Sequence, residues 1–426
     1  MTLSRRDFLK ATSAAALASP LIDISANKLE AAQGDAPPKR VAIVATIWRY
    51  LSHAQHMGDR LLVGYPFEGK WRHPNVKVVS LYVDQKGKRD QSAARAEEFG
   101  FKVYPTIAET LRAGSDKLAV DAVVVIGEHG NYPRNEKGQK LYPRYEFFKE
   151  ITEVFQKDGR AVPVFNDKHL SYSWRKAKEM VETSKRLDFP FLAGSSLPVT
   201  WRFPEMELPL ESEIEEALVM GVGSSDAMDY HTLEAMQCMI ERRKGGETGV
   251  KSVQALHGDA VWKAGRDRRW SHDLFEAALS RVDTQYGGEN AHPQDFANNG
   301  ELQRLVKDPT AYFIEHNDGL RTTLLMLNGA IGDYTFAARV KGMSEPQSTQ
   351  FMLPRVPNVT YSACLVNKIV EMIETGKAPY PVERTQMASA LLDRCLDSKL
   401  SGGERLDTPE LNIRYRAPAT SQFCKT

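Results

Sequence analysis

The sequence predicts a doubly wound α/β domain on a parallel sheet, followed by an α+β domain on a large, open, mainly antiparallel sheet. Three observations predict it. Short apolar runs alternate with amphipathic stretches through the first half, the pattern of strand–helix–strand units. After about Pro198 longer strand candidates follow one another instead. A chain of 426 residues with 42% hydrophobic composition is also long enough for two cores. The division is residues 1–36 as a leader, 37–198 as the first domain and 199–426 as the second, whose terminal helices can pack back on the first.

Each element has its own signal. Residues 40–44 (Arg-Val-Ala-Ile-Val) read as a buried parallel strand, and 76–83 as a second. Residues 55–75 between them are longer than a normal connection from a first helix to a second strand. Residues 91–99 read as a helix stopped by Gly100, 102–104 as a short strand before Pro105, and 107–113 as a helix. Residues 121–126 are the strongest buried strand. Residues 145–157 place Phe147, Phe148, Ile151, Val154 and Phe155 on one helical face. A strand at 162–165, a helix at 173–185 and a strand at 191–193 complete the first domain. Beyond it, strands at 213–222 and 251–256 flank a helix at 230–242. Further strands fall at 311–315, 321–327, 334–340 and 350–353, before terminal helices at 361–375 and 382–398. Such long strands with helices on one side make an open sheet.

Charge excludes some partners. Lysine plus arginine (56) nearly cancel aspartate plus glutamate (55), giving no case for nucleic acid or an anionic membrane. The basic runs 86–89 and 266–269 are short and read as solvated surface. At the N-terminus, Ser4-Arg5-Arg6-Asp7-Phe8-Leu9-Lys10 is a twin-arginine signature. The apolar stretch 11–24 behind it is too short and too rich in alanine and serine to span a bilayer. Small residues between Ala26 and Ala36 suit cleavage, and no later run is long enough for a membrane helix. The expectation is export to a periplasm in the folded state, which suits a protein loaded with a cofactor beforehand. Cys238, Cys364, Cys395 and Cys424 form no C-x-x-C pair, so neither a zinc or iron–sulfur site nor an obligatory disulfide is expected.

The first strand leads to a turn where a Rossmann-like domain carries Gly-x-Gly-x-x-Gly around a dinucleotide pyrophosphate. Here the turn reads Ala45-Thr46-Ile47-Trp48-Arg49-Tyr50, without a glycine. Ala45, Thr46 and Ile47 hold the positions that would face the phosphates. Asp84 ends the second strand, where a ribose-binding acid sits; a carboxylate capping a turn reads equally well. As a ribose ligand it favours NAD over NADP.

Four segments in order carry a family resemblance. They are Ser92 to Gly100 with Val103 to Glu109, Val164 to Ser171 with Ala177 to Lys185, Asp229-Tyr230-His231-Thr232-Leu233-Glu234, and Thr375-Gly376-Lys377 with Pro381 to Arg384. Over residues 40–414 this order resembles the Gfo/Idh/MocA family, the group of glucose–fructose oxidoreductase and inositol dehydrogenase. The third segment is similar to the family's Gly-x-His-x-x-Asp stretch. The second is similar to its Glu-Lys-Pro stretch, with Asp167 for glutamate, His169 for proline and the lysine kept as Lys168. The resemblance implies NAD or NADP as cofactor, a sugar or polyol as substrate, and self-association through the open sheet. It implies Lys168 and His231 at the reacting carbon, and Gly127 and Asp167 on the cofactor side.

A polar loop, residues 127–139, replaces the family's short Pro-x-x-x-His loop after the strongest strand. Glu128 and His129 there suit an acid/base pair, and Tyr132, Arg134, Glu136 and Lys137 suit hydrogen bonds to a polyol or a solvated loop. Asn166 and His169 flank the lysine on the substrate side. Trp201 suits stacking on a sugar, or packing at the domain junction. His53 and His56, three apart on a helix, could join Glu128, His129, Asp167 or His169 around a metal, but no known ligand order supports one and none is expected. No G-x-S-x-G elbow points to a serine hydrolase. Two main readings stay open: an exported NAD(P)-dependent oxidoreductase, or a cofactor-free carbohydrate-binding or lyase/hydratase-type protein. A structural partner of another exported enzyme is a third.

Overall fold

Residues 37–223, 226–286, 295–354 and 356–425 are described by a computed structural model; the twin-arginine segment lies outside them. In chain order the first half gives β1 (Lys39–Ala45), α1 (His53–Val63), a hairpin of β2 (Tyr65–Phe67) and β3 (Lys70–Arg72), β4 (Val76–Val83), and α2 (Ser92–Phe99). It continues with β5 (Lys102–Val103), α3 (Ile107–Arg112), β6 (Ala122–Ile126), α4 (Arg144–Asp158), β7 (Val164–Asp167), α5 (Trp174–Arg186) and β8 (Phe191–Gly194). Six strands pair in parallel in the order β5-β4-β1-β6-β7-β8. The chain reverses direction across the sheet between β1 and β6, so the crevice above those strand ends is where an open α/β sheet takes a ligand.

Both faces of this sheet are covered, which explains its uninterrupted apolar strands. Ala42, Val44, Val123 and Val125 pack under Phe147, Phe148 and Ile151 of α4. On the other face Val41, Ile43 and Val124 meet Met57 and Leu61 of α1.

The second half contains β9 (Arg202–Phe203), β10 (Ile214–Gly221), α6 (Asp226–Ile240), β11 (Val250–His257), α7 (Asp259–Arg266), α8 (His272–Leu279) and α9 (Glu301–Leu305). Next come β12 (Thr310–His316), β13 (Arg321–Met326), β14 (Tyr334–Val340), β15 (Gln347–Phe351), α10 (Ser362–Thr375), α11 (Glu383–Leu400) and β16 (Leu406–Asp407). Eight strands run in the order β16-β11-β12-β13-β10-β14-β15-β9, antiparallel except for the β10–β13 pair. Helices α6 and α11 cover one face, with Tyr230, Leu233, Met236, Met387 and Leu391 on Val219, Tyr312 and Phe336. Helix α10 returns to the first sheet and packs Leu365, Val366 and Ile369 beside α1. Both sheets lie in one compact unit, residues 38–426.

Three expectations change. Residues 55–75 are not a long connection: they hold most of α1 and the β2–β3 hairpin. Helix α6 begins at Asp226 rather than 230, with Asp226 and Asp229 buried in its first turn. Helices do not stay on one side of the second sheet. Helices α7 and α8 bury Leu218, Met220, Leu325 and Ala337 on its other face, leaving only part of it open. Among the described residues no helix is long and apolar enough to cross a membrane. The four cysteines are buried free thiols.

Candidate functional site

At the C-terminal edge of the first sheet lies a cavity of about 480 Å³. Its polar wall comes from His53 and His56 of α1, Glu128 and His129 after β6, Asp167 and Lys168 at the end of β7, Ser195 after β8, and His231 of α6. Leu353, Val359 and Leu365 close its apolar side. Polar groups converging on an apolar pocket make this the candidate site.

Lys168 and His231 meet here from separate halves of the chain. Lys168 Nζ donates to His231 Nε2 at 2.5 Å. That contact assigns the ring proton to Nδ1, which donates to Ser195 Oγ at 3.0 Å. Ser195 passes its own hydroxyl proton to Glu234 Oε2, and its backbone N–H donates to Glu234 Oε1 at 2.9 Å. Tyr230 donates to the same oxygen at 3.0 Å. Burial, then the Lys168 charge, holds the His231 imidazole neutral, well below its ordinary range. Burial pushes the Glu234 carboxyl up to about 7. The result is a lysine–histidine–serine–glutamate chain running from the cavity wall into the core.

Backbone geometry fixes both ends of this chain. Lys168 has φ 69°, a left-handed conformation rare outside glycine, and its N–H donates to Gly194 O at 2.9 Å. Gly194 is itself at φ 128°, and a Cβ there would stand 2.8 Å from Glu234 Oε1. Glycine ends β8 because the glutamate needs that space.

Three histidines form the opposite wall. His53 and His56 rings lie 4.9 Å apart, and His53 and His129 rings 5.2 Å apart. Burial, then His53, lowers His56 to about 2 and His129 to about 4, so both are neutral. His53 Nδ1 donates to Asp167 Oδ2 at 2.7 Å. Asp167 Oδ1 and His56 Nδ1 are buried without a partner, a cost that a ligand hydroxyl reaching them would recover. Among the described residues no group of His, Cys, Asp or Glu has metal-ligand geometry.

A dinucleotide in its usual pose does not fit these residues. Trp48 is fully buried and packs on α1 so tightly that a Cβ on Gly58 would meet its ring at 2.4 Å. Ala45 is buried, and Thr46 Oγ1 donates to Glu128 O at 2.7 Å, tying the first turn to the loop after β6. Ile47 lines a separate surface hollow with Lys86 to Asp90. Both carboxylate oxygens of Asp84 are taken, by Tyr82 at 3.0 Å and Tyr132 at 2.6 Å, leaving it occupied rather than poised for ribose. The His53–Asp167 bond runs from α1 to the end of β7, across the C-terminal edge of the sheet.

The remaining expected residues divide by position. Glu128 lines the cavity but is paired with buried Arg144. Burial raises its pKa, yet the Lys168 and Arg144 charges outweigh that and hold it below the carboxylate range, so it is a fixed anion. Gly127 makes room for Arg144, whose Cγ would lie 2.6 Å from a Cβ there. Tyr132 is spent on Asp84, and Asn166 Nδ2 on His169 O at 3.3 Å. His169 is fully buried against Arg144, at 3.0 Å, and does not line the cavity. Trp201 packs at the edge of the first core. Arg134 bonds within its own loop, and Lys137 pins that loop to Asp393 and Asp397 of α11, both at 2.5 Å. Sequence reasoning missed Ser195 and Glu234. The available signals were a serine directly after a strand-ending glycine and a glutamate one turn after His231.

No protein-family model matches the sequence, and no curated protein does. Solved structures do. A myo-inositol 2-dehydrogenase from Lactobacillus plantarum is 13% identical, with 87% of this chain and 99% of that one covered at a TM-score of 0.52. GenD2 from gentamicin A biosynthesis, in complex with NAD, is 12% identical over 89% and 99% of the two chains at 0.53. A myo-inositol dehydrogenase from Lactobacillus casei, in complex with NAD(H) and myo-inositol, is 10% identical over 87% and 96% at 0.51. These neighbours are Gfo/Idh/MocA-type dehydrogenases, and the chain has their fold.

Proposed function

We propose that this protein binds a sugar or polyol in the cavity and acts on it by proton transfer, without a nicotinamide dinucleotide in the usual crevice. The observation that carries this reading is the relay ending on the Lys168–His231 contact at the cavity wall. Lys168 Nζ can turn from His231 to bind and protonate a substrate oxygen, which frees His231 Nε2 to take up a proton from a hydroxyl or an activated C–H. Ser195 and Glu234 hold the tautomer that leaves Nε2 facing the lysine. The fixed Glu128 and Asp167 carboxylates supply acceptors for substrate hydroxyls. This chemistry is that of a lyase, hydratase or isomerase on a carbohydrate.

A second reading is favoured by the likeness to NAD-bound dehydrogenases. It keeps NAD or NADP, shifted outward past Trp48 and His53. One experiment separates the two. Protein made in the cytoplasm is denatured mildly and its supernatant assayed for nicotinamide dinucleotide, and the folded protein is titrated calorimetrically with NAD(H), NADP(H) and a panel of sugars and polyols. We expect sugar or polyol binding and no dinucleotide. Stoichiometric dinucleotide would reject the proton-transfer reading in favour of hydride transfer. Once a substrate is found, Lys168→Ala and His231→Asn should each lower turnover by about 10²–10⁴-fold.

A further inference from the structure

We propose a second binding site, for an acidic oligosaccharide, on the part of the second sheet that α7 and α8 leave open. Two adjoining grooves of about 670 and 380 Å³ lie there, and both are walled by Arg268, Arg269 and Arg321. Arg266 adds to the first and Arg405 to the second. These five come from three distant parts of the chain: the α7–α8 turn, the start of β13, and the segment before β16. The sequence run 266–269, unremarkable alone, thus becomes part of a cationic surface gathered by the fold.

The charge there is only partly compensated: Glu216, Asp273 and Glu315 also line the grooves, against five arginines. Arg405 pairs with Glu315 at 2.5 Å, but Arg266, Arg268, Arg269 and Arg321 have no ion-pair partner among the described residues. Glu216, opposite Arg321 across the β10–β13 pair, accepts instead from the Ser271 backbone at 3.0 Å. Two features hold the arginines in place despite their mutual repulsion. The Arg269 guanidinium lies 3.9 Å from the centre of the Phe313 ring, and Arg268 sits at φ 55° in the left-handed region. Repulsion is felt: burial and then the neighbouring Arg405 lower the Arg269 pKa.

The chemistry selects the ligand. Guanidinium forks match carboxylate or sulfate oxygens in pairs. Two contiguous grooves suit a chain with repeated charges better than a single small anion, and half-buried Trp262 offers a ring on which a sugar can lie. A second copy of this chain is the other occupant that an open sheet invites, and the dimer arm of the test below separates it from the oligosaccharide. Nucleic acid is disfavoured because the chain as a whole is almost neutral, with 56 basic and 55 acidic side chains, and lacks a long-range positive field. The site goes beyond the cavity reaction and stands without it.

The test uses the full-length folded protein and a short oligogalacturonate, with a neutral malto-oligosaccharide of equal length as control. Binding is followed by calorimetry and by affinity electrophoresis at low and at physiological salt. We expect oligogalacturonate to bind and the neutral chain not to. The double variant Arg269→Gln/Arg321→Gln should weaken binding by about tenfold or more, each lost charged contact being a tenfold-scale effect. A charge-matched double variant on exposed helix positions, Lys157→Gln/Lys178→Gln, should leave it unchanged, as should His231→Asn in the cavity. Circular dichroism checks that each variant is folded. No binding at low salt overturns the proposal, as does equal binding by the arginine variant. Tighter binding of single-stranded DNA than of oligogalacturonate also overturns it, and so does a dimer that the arginine variant abolishes.

Discussion

Glu234 carries the plainest pH signature at the residue scale. Its pKa is raised from an ordinary 4.5 to about 7, chiefly by burial. A carboxyl raised on folding favours the native state fully below its unfolded value, and that contribution is lost as pH rises through the folded value. A shift from 4.5 to about 7 is worth about 3 kcal/mol at most. Wild-type protein should therefore lose melting temperature relative to Glu234→Gln as pH rises from about 5 to about 8. Thermal melts that stay parallel across this range would remove the carboxyl from the relay. His56 works in the opposite direction. Its pKa is lowered from 6.5 to about 2, so its contribution is present above 6.5 and lost as pH falls. The two windows together put the stability of this site at its highest between them.

At the scale of elements, the ends of β7 and β8 matter more than their lengths. Lys168 reaches the cavity from a left-handed backbone position, and Gly194 beside it leaves room for Glu234. Gly194→Ala would place a methyl 2.8 Å from Glu234 Oε1, at φ 128° where a side chain is strained. We expect a loss of about 1–3 kcal/mol in denaturant unfolding and a displaced relay, seen as a larger fall in turnover than in substrate affinity. Wild-type stability in this variant would mean that the close approach is not needed. The first turn behaves similarly. Trp48 in the turn after β1 is fully buried and packs against Gly58, so an aromatic ring ties that turn to α1.

At the scale of the whole molecule, the twin-arginine signature read in the sequence predicts export of the protein in its folded state. A twin-arginine route demands a folded cargo, and the free, buried thiols need no oxidising compartment to finish the fold. Arg5→Lys/Arg6→Lys should leave the protein folded but retained in the cytoplasm on cell fractionation. Unchanged export would reject the signal. Helix α10, packed beside α1, connects the C-terminal half of the chain to the wall that holds His53 and His56. The cavity therefore forms only when both sheets are in place.

The parallel sheet was legible because its strands are buried on both faces and read as unbroken apolar runs such as Ala122–Ile126. Lys168 and His231 were legible through short ordered patterns around them. The short helices between β11 and β12 were not, since their apolar faces are explained only by the sheet beneath them. Nor were the roles of Ser195, Glu234, His53 and Arg321, whose partners lie far away in sequence or around a turn. The sequence by itself determined which segments become strands and helices and that the glycine loop is missing, because periodicity and turn chemistry are local. Only the tertiary structure decided what replaced that loop, which polar groups face one another, and where unpaired charge collects. Those depend on burial and on distances between residues that the chain order keeps apart.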